Sequence, residues 1–208
     1  MALKSSSPSI VVIGGGLIAH AIAWRLARLD VQVTLLADGG PAASAASAGM
    51  LAPSFEAAHD RAAPGLKAML DESLQLWDDF ATNLEADSGM AIDYHRNGIV
   101  GLGDTPAIGD RHPVAVPSGI AAPSAWCVRG EGQVDPRRTL VALKQAVAAR
   151  GGKTVAGTAE RLVLEKEKVR GVKTKSGACV EADRTILAAG MGSRRLLKEG
   201  PSLVPVRG

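Results

Sequence analysis

The segment IVVIGGGLIAHAIAWRL, residues 10–26, decides the fold of this chain. Its first four residues are apolar and β-branched, which is typical of a buried parallel strand. Three glycines follow, and apolar residues then recur at helical spacing over residues 17–29. A second apolar, β-branched run occupies residues 31–36. The order strand, glycine turn, helix, strand predicts a βαβ unit at the start of the chain.

The glycines of this turn follow the spacing of a dinucleotide-binding loop, with Gly14, Gly16 and then Ala19. In such a loop the first glycine permits a tight turn, and the second lets the backbone approach a pyrophosphate. The small third residue lets helix and strand pack closely, and the helix N-terminus offers free N–H groups. The alternative is a glycine-rich turn that binds no ligand. The flanking strand and helix favour the nucleotide interpretation.

The end of the second strand fits this fingerprint less well. An acidic residue should end the strand and hold the ribose hydroxyls. Here Ala37 stands at that position and Asp38 follows it. Because side chains alternate along a strand, an acid one place late points the other way. Two interpretations stay open: Asp38 swings in to the ribose, or it is a turn residue before the next two glycines.

Further elements are predicted along the rest of the chain. Residues 41–53 are rich in Ala, Ser and Gly, as expected of a loop that packs closely against a flat ligand. Asp135 and Pro136 are typical of a helix start, as N-cap and first helical residue. The remaining predictions are an amphipathic helix over 66–84, short strands of a small lobe within 92–130, a strand ladder over 154–184, and a last apolar strand over 185–190.

Composition narrows the function class. The net charge is only +3, and basic residues alternate with acids, as in residues 165–168, so we predict no nucleic-acid partner. The two cysteines lack metal or redox spacing and the four histidines are isolated, so neither a metal site nor a catalytic histidine is predicted. No run reaches the roughly 18 apolar residues of a membrane span, and the polar start is a poor signal peptide. We therefore predict a cytoplasmic protein with no membrane partner.

Four blocks of the sequence resemble the FAD-dependent D-amino acid oxidase superfamily and, within it, the bacterial glycine oxidases of thiamine biosynthesis. The second block, ASAASAGMLAP, is the most specific of them. The blocks occur in the family's order and span nearly the whole chain. They are residues 13–18, residues 43–53 with Glu56, residues 131–138, and residues 187–190 followed by 205–208.

The resemblance implies an α/β fold. Residues 1–88 and 135–208 would form an FAD-binding, Rossmann-like domain of the glutathione-reductase type. Residues 89–134 would form part of a mixed-sheet substrate lobe. The strands at residues 10–13 and 185–188 would then share one sheet.

The resemblance also implies the cofactor, FAD, and the residues that hold it. In order along the chain, Gly14, Gly16, Leu17 and Ile18 would lie at the pyrophosphate, Ala37 and Asp38 at the ribose, Ala43 and Ser44 at the phosphates and ribityl chain, Ala48, Gly49 and Met50 at the isoalloxazine ring, Ala159 at the adenine, and Gly190 on the returning strand. Met50 would lie nearest the substrate. The resemblance identifies no catalytic residue within the chain itself.

The resemblance implies an FAD-dependent oxidase of glycine or another small amino acid or amine, with hydride passing to the flavin and oxygen becoming hydrogen peroxide. Ala37 departs from the family's Glu, and Gly192 from its usual aromatic residue. Family members continue past the position of Gly208, and that part carries the arginine that anchors the substrate carboxylate. We therefore expect the lone chain to be inactive and to associate with itself or with a C-terminal partner chain. The alternative is an inactive remnant or a flavin-binding subunit.

Overall fold

The computed structural model of the chain describes residues 7–40, 43–59, 65–103 and 110–197. Cα packing divides the chain into two compact units, Met1–Ser47 with Thr139–Gly208, and Ala48–Arg138. These units differ from the domain bounds predicted from the sequence blocks, because residues 48–88 pack with the second unit. The domain bounds of 1–88, 89–134 and 135–208 stay a prediction.

The helices and strands have the following bounds. The helices are α1 (Leu17–Ala27), α2 (Pro53–His59), α3 (Leu66–Ser88) and α4 (Pro136–Ala149), with 3₁₀ turns at Ala43–Ala45 and Gly190–Arg195. The strands are β1 (Ser9–Ile13), β2 (Gln32–Ala37), β3 (Met50–Leu51), β4 (Ile99–Leu102), β5 (Arg111–Val114), β6 (Ala125–Val128), β7 (Gly132–Gln133), β8 (Lys153–Ala156), β9 (Ala159–Glu165), β10 (Lys168–Thr174), β11 (Cys179–Glu181) and β12 (Arg184–Leu187).

The first unit is built on a four-stranded parallel sheet of order β12-β1-β2-β8. Ile10 pairs with Arg184 and Ile13 with Leu187, which confirms the predicted common sheet of the first and last strands. Strand β1 is central, and its Val11 and Val12 are fully buried. Trp24 of α1 is also fully buried. The predicted βαβ unit is thus present, with its apolar residues in the core.

The first unit also contains a three-stranded antiparallel sheet of order β11-β10-β9. Lys166 and Glu167 join β9 to β10, and both have left-handed backbone, with φ of 47° and 65°. Two such residues form the tight hairpin turn that suits the twist of paired strands. The strand ladder predicted over 154–184 is confirmed for residues 159–181, whereas β8 before it pairs with β2 in the parallel sheet.

The second unit holds α2, α3, the β3–β7 pair and an antiparallel sheet of order β4-β6-β5. Helix α3 buries Leu74, Ala81 and Leu84 along one side, which confirms the predicted amphipathic helix. Phe55 of α2 stacks on Trp126 of β6 with ring centroids 4.9 Å apart. Across the ranges that the structure describes, no helix has the length and apolar character to cross a membrane.

Helix α4 begins as predicted, with Asp135 before it and Pro136 as its first residue. The Asp135 carboxylate accepts hydrogen bonds from the backbone N–H groups of Arg137 and Arg138, at 2.8 and 3.0 Å. These bonds, the one from Arg138 first, lower the pKa of the Asp135 carboxyl. The aspartate therefore caps the helix in its charged form.

Candidate functional site

A large cavity opens in the first unit where the parallel strands end. Its volume is about 1200 Å³. Ile13, Leu36 and Leu187, at or next to the carboxyl ends of β1, β2 and β12, all line it. Nucleotides bind at this edge of an open α/β sheet. The cavity exceeds the usual volume of a drug-sized pocket, so it can admit a dinucleotide.

Gly14 is required by the fold around this cavity. Its φ is +146°, and a Cβ there would overlap the carbonyl oxygen of Ala188. Its N–H donates to the Leu36 carbonyl at 3.0 Å. The first glycine of the loop therefore lets β1 turn between its two neighbouring strands.

Gly16 has a different role, since its backbone is not strained. It is the N-cap of α1, with φ −88° and ψ −178°, a conformation that any residue can adopt. Glycine has no side chain, so Gly16 itself makes no capping hydrogen bond. Gly16 lines the cavity, and a glycine there leaves the backbone open to a ligand.

The first amide of α1 is held by a residue distant in sequence. The Leu17 N–H donates to the Ser44 hydroxyl at 3.0 Å. Ser44 lies in the 3₁₀ turn Ala43–Ala45, and both Ala43 and Ser44 line the cavity. Ile18 lines it too and is 68% exposed. The structure therefore gathers these predicted residues around the N-terminus of α1.

Strand β2 ends at Ala37, so Asp38 lies one residue beyond the strand. The Asp38 carboxylate accepts a hydrogen bond from the Gly40 N–H at 3.1 Å, which is the turn role foreseen from the sequence. Asp38 also lines the cavity. The structure therefore shows the turn contact of Asp38, whereas its contact with the ribose stays a prediction.

We expect the turn role to be the main one. Asp38→Ala should then change FAD affinity by less than about twofold, whereas loss of a ribose contact would cost roughly 1.5–3 kcal/mol. Ala37→Glu places an acid at the last residue of the strand and should strengthen FAD binding by roughly the same 1.5–3 kcal/mol. Titration of the two apoproteins with FAD measures both effects. A large loss in Asp38→Ala would show that this carboxylate has taken over the ribose.

The other predicted site residues divide between the two units. Ala159 and Gly190 line the cavity. Ala48, Gly49 and Met50 belong to the second unit, where Met50 pairs with Gln133 and is 50% exposed. Their contact with a flavin ring stays a prediction.

The backbone conformation at position 49 requires a glycine. Its φ is +78°, and a Cβ there would overlap the carbonyl oxygen of Val134. The Val134 N–H donates to the Gly49 carbonyl at 2.9 Å. Residues 48–53 of one block that carries the resemblance therefore lie beside residues 131–138 of another within the second unit.

Sequence reasoning missed several residues that line the cavity. Gly157 donates its N–H to the Ala37 carbonyl, and Lys175 donates its N–H to the Thr158 carbonyl, each at 2.9 Å. The 3₁₀ turn Gly190–Arg195 supplies most of the remaining wall. The available signal was a glycine directly after a short strand, at Gly157. The turn at 190–195 is closed by local backbone bonds, from the Gly192 N–H to the Ala189 carbonyl and from the Leu196 N–H to the Ser193 carbonyl, each at 3.0 Å.

The residues of this cavity fit FAD. Gly14, Gly15 and Gly16 line the cavity at the N-terminus of α1, the kind of position where a pyrophosphate binds. Small residues, among them Ala43, Ala159 and Gly190, let a long ligand lie close to the backbone.

Comparison with known proteins agrees with this geometry. Residues 9–208 match the family model described as FAD dependent oxidoreductase (DAO). The bifunctional protein ThiO/ThiG of Trichormus variabilis is 30% identical over 210 residues, which cover 90% of this chain and 32% of that protein. Glycine oxidase of Geobacillus kaustophilus is 28% identical over 96% of this chain and 59% of the enzyme. The chain thus spans about a third of the bifunctional relative and 59% of glycine oxidase.

Solved structures share the fold. The crystal structure of glycine oxidase from Geobacillus kaustophilus matches with a TM-score of 0.75 and 22% identity, over 91% of this chain and 58% of that one. Iminodiacetate oxidase from Chelativorans sp. matches with a TM-score of 0.75 and 18% identity, over 90% and 56%. Because residues 9–208 match the family model, the chain belongs to the DAO family of FAD-dependent oxidoreductases, whose cofactor is FAD.

Proposed function

We propose that this protein is the FAD-binding part of a glycine oxidase-type enzyme that oxidises glycine or another small amino acid or amine. The observation that carries the proposal is the glycine loop at the head of a 1200 Å³ cavity, in a chain that matches the DAO family over residues 9–208. The relatives named ThiO/ThiG support a role in thiamine biosynthesis.

In this proposal the chain binds and orients, and FAD when bound supplies the hydride acceptor and the reaction with oxygen. The backbone around Gly16, with the N-terminus of α1, holds the pyrophosphate. Ser44 would contact the phosphates and the ribityl chain, and Ala159 would lie beside the adenine. Met50 and the two residues before it would contact the flavin ring, as the family resemblance implies.

The alternative, an inactive remnant or a flavin-binding subunit, is less favoured. Both the glycine loop and the late strand at residues 184–187 lie within the family match. The small residues that a flavin needs are present at Ala48 and Gly49 as well as along the cavity.

A chimera tests the proposed activity. Residues 9–208 replace the matching part of the Geobacillus kaustophilus glycine oxidase, of which the chain covers 59%. We expect the FAD-loaded chimera to produce hydrogen peroxide with glycine or sarcosine, and the same chimera carrying Gly16→Val to lack both flavin and activity. A folded chimera that holds FAD but oxidises neither glycine, sarcosine nor a D-amino acid would contradict the proposed substrate class.

The sheet β4-β6-β5 leads to a prediction about association. Val100, Leu102 and Val114 share one face of this sheet by their register, and they are 47%, 43% and 39% exposed. Its outer strands, β4 and β5, each pair on one side within the described residues. Exposed apolar faces and open strand edges are association sites. We expect the chain to associate, with itself or with a C-terminal partner chain.

Light scattering at micromolar concentration measures this. Leu102→Lys should shift the chain towards monomer, because a charge on that face opposes burial. Leu76→Lys is the matched control, since Leu76 is 63% exposed on α3 and lies outside the sheet. A wild-type chain that stays monomeric at micromolar concentration and binds no partner chain would refute the prediction.

A further inference from the structure

We propose that His20 is a positioning residue for the cofactor, which holds the Gly16–Leu17 peptide in the orientation that binds the pyrophosphate. This inference rests on the proposed FAD site. It concerns a residue that no sequence motif marks, since the family resemblance gives it no role and its isolation argued against catalysis.

The geometry of His20 is specific. It lies in the first turn of α1 and is only 2% exposed. Its Nδ1 is 3.0 Å from the carbonyl oxygen of Gly16. A carbonyl can only accept, so Nδ1 carries the proton and donates it. The backbone N–H of His20 donates to the same oxygen at 3.2 Å. Gly16 is therefore held by two hydrogen bonds from a single residue.

The contact between His20 and Gly16 also bears on the direction of the neighbouring Leu17 N–H. The peptide group between Gly16 and Leu17 is planar and trans, so its N–H points opposite to its C=O. With the carbonyl directed along the helix to His20, the Leu17 N–H must point out of the helix N-terminus. It does so here, towards the Ser44 hydroxyl at 3.0 Å. Ser44 and Gly16 both line the cavity, so the imidazole reinforces the backbone bond that directs an amide beside it.

The surroundings favour a neutral ring. Burial lowers the pKa of His20, and the positive charge of Lys144 on α4 lowers it further, while the hydrogen bond to Gly16 acts in the opposite direction. A neutral imidazole has one N–H, and the Gly16 contact assigns it to Nδ1. The ring thus acts as a fixed donor rather than as a proton carrier.

The chain itself suggests a matched substitution. On α3, Asn83 donates its side-chain N–H to the carbonyl of Asp79, four residues earlier, at 2.6 Å. An asparagine in a helix can therefore make the same type of bond as His20. His20→Asn keeps a donor in a smaller, more polar side chain, whereas His20→Leu keeps apolar bulk and removes the donor.

The test is a titration of the wild-type, His20→Asn and His20→Leu apoproteins with FAD, with the unfolding of each apoprotein measured in parallel. We expect His20→Leu to weaken FAD binding by roughly threefold to tenfold, the effect of one hydrogen bond, and His20→Asn to stay within about twofold of wild type. A residue that only packed would give the opposite order, because leucine preserves the buried apolar contact better than asparagine.

The outcomes separate this inference from the cofactor site. If the wild-type chain binds no FAD, both fail. If it binds FAD and His20→Leu binds it equally well, or His20→Asn loses as much affinity as His20→Leu, only the role of His20 fails. Should the variants not fold, ¹⁵N spectra of the wild-type histidines decide the matter. An Nδ1–H tautomer of His20 in both the apoprotein and the FAD complex supports the proposal, and an Nε2–H tautomer overturns it.

Discussion

Gly16→Val should leave the chain folded and abolish FAD binding. The backbone at Gly16 has φ −88° and ψ −178°, which valine adopts without strain, so the apoprotein should keep its stability to within about 1 kcal/mol. The branched side chain would project where the pyrophosphate must touch the backbone. The measurement pairs flavin content after gel filtration with denaturant unfolding of the apoprotein.

Gly15→Ala is the control for this substitution. A Cβ on Gly15 would meet the methyl group of Ala37 at 3.5 Å, which is ordinary van der Waals contact. The middle position of the loop is open to other residues in the fingerprint, so this variant should still bind FAD. Unchanged flavin content in a folded Gly16→Val protein would show that the pyrophosphate does not approach this glycine.

Gly14→Ala should have the other large effect, and this effect falls on the fold itself. Its φ of +146° strains any L-residue, and the new Cβ would overlap the Ala188 carbonyl between β1 and β12. Backbone strain and overpacking together should lower the free energy of unfolding by roughly 2–5 kcal/mol. Denaturant unfolding of the apoprotein measures the loss.

The matched control isolates the steric part of that loss. Gly177 has φ +91° and no atom within 4 Å of an added Cβ, so Gly177→Ala carries backbone strain alone. It should cost roughly 1–2 kcal/mol. Equal losses in Gly14→Ala and Gly177→Ala would mean that the contact with Ala188 contributes nothing.

Local sequence signals predicted much of the fold. The β-branched run and glycine turn at residues 10–16 and the Asp135 cap of α4 are both determined by neighbouring residues. The pairing of β1 with β12 was also expected, because it follows from the family resemblance. Pairing of β3 with β7 was not expected, since strands of two residues each carry no periodicity to detect.

The candidate site was predictable to the extent that it is built from backbone. Glycines that permit close approach are visible in a sequence, and Gly14, Gly16 and Gly190 all line the cavity. Hydrogen bonds between distant residues are not visible. The bond from Leu17 to Ser44 spans 27 residues. The bond of His20 spans only four, but an isolated histidine usually has no special role, so nothing in the sequence marks it. Whether the Asp38 carboxylate serves the ribose or the turn depends on where β2 ends. Strand ends are set by tertiary pairing, which the sequence does not show.

Equilibrium binding of FAD to the purified chain tests directly whether the cavity at the N-terminus of α1 is a flavin site. Apoprotein is titrated with FAD, unbound flavin is removed, and the visible spectrum gives the flavin retained per chain. We expect saturable binding of one FAD per chain in the wild type and none in Gly16→Val. A folded wild-type chain that stays colourless at saturating FAD would contradict it.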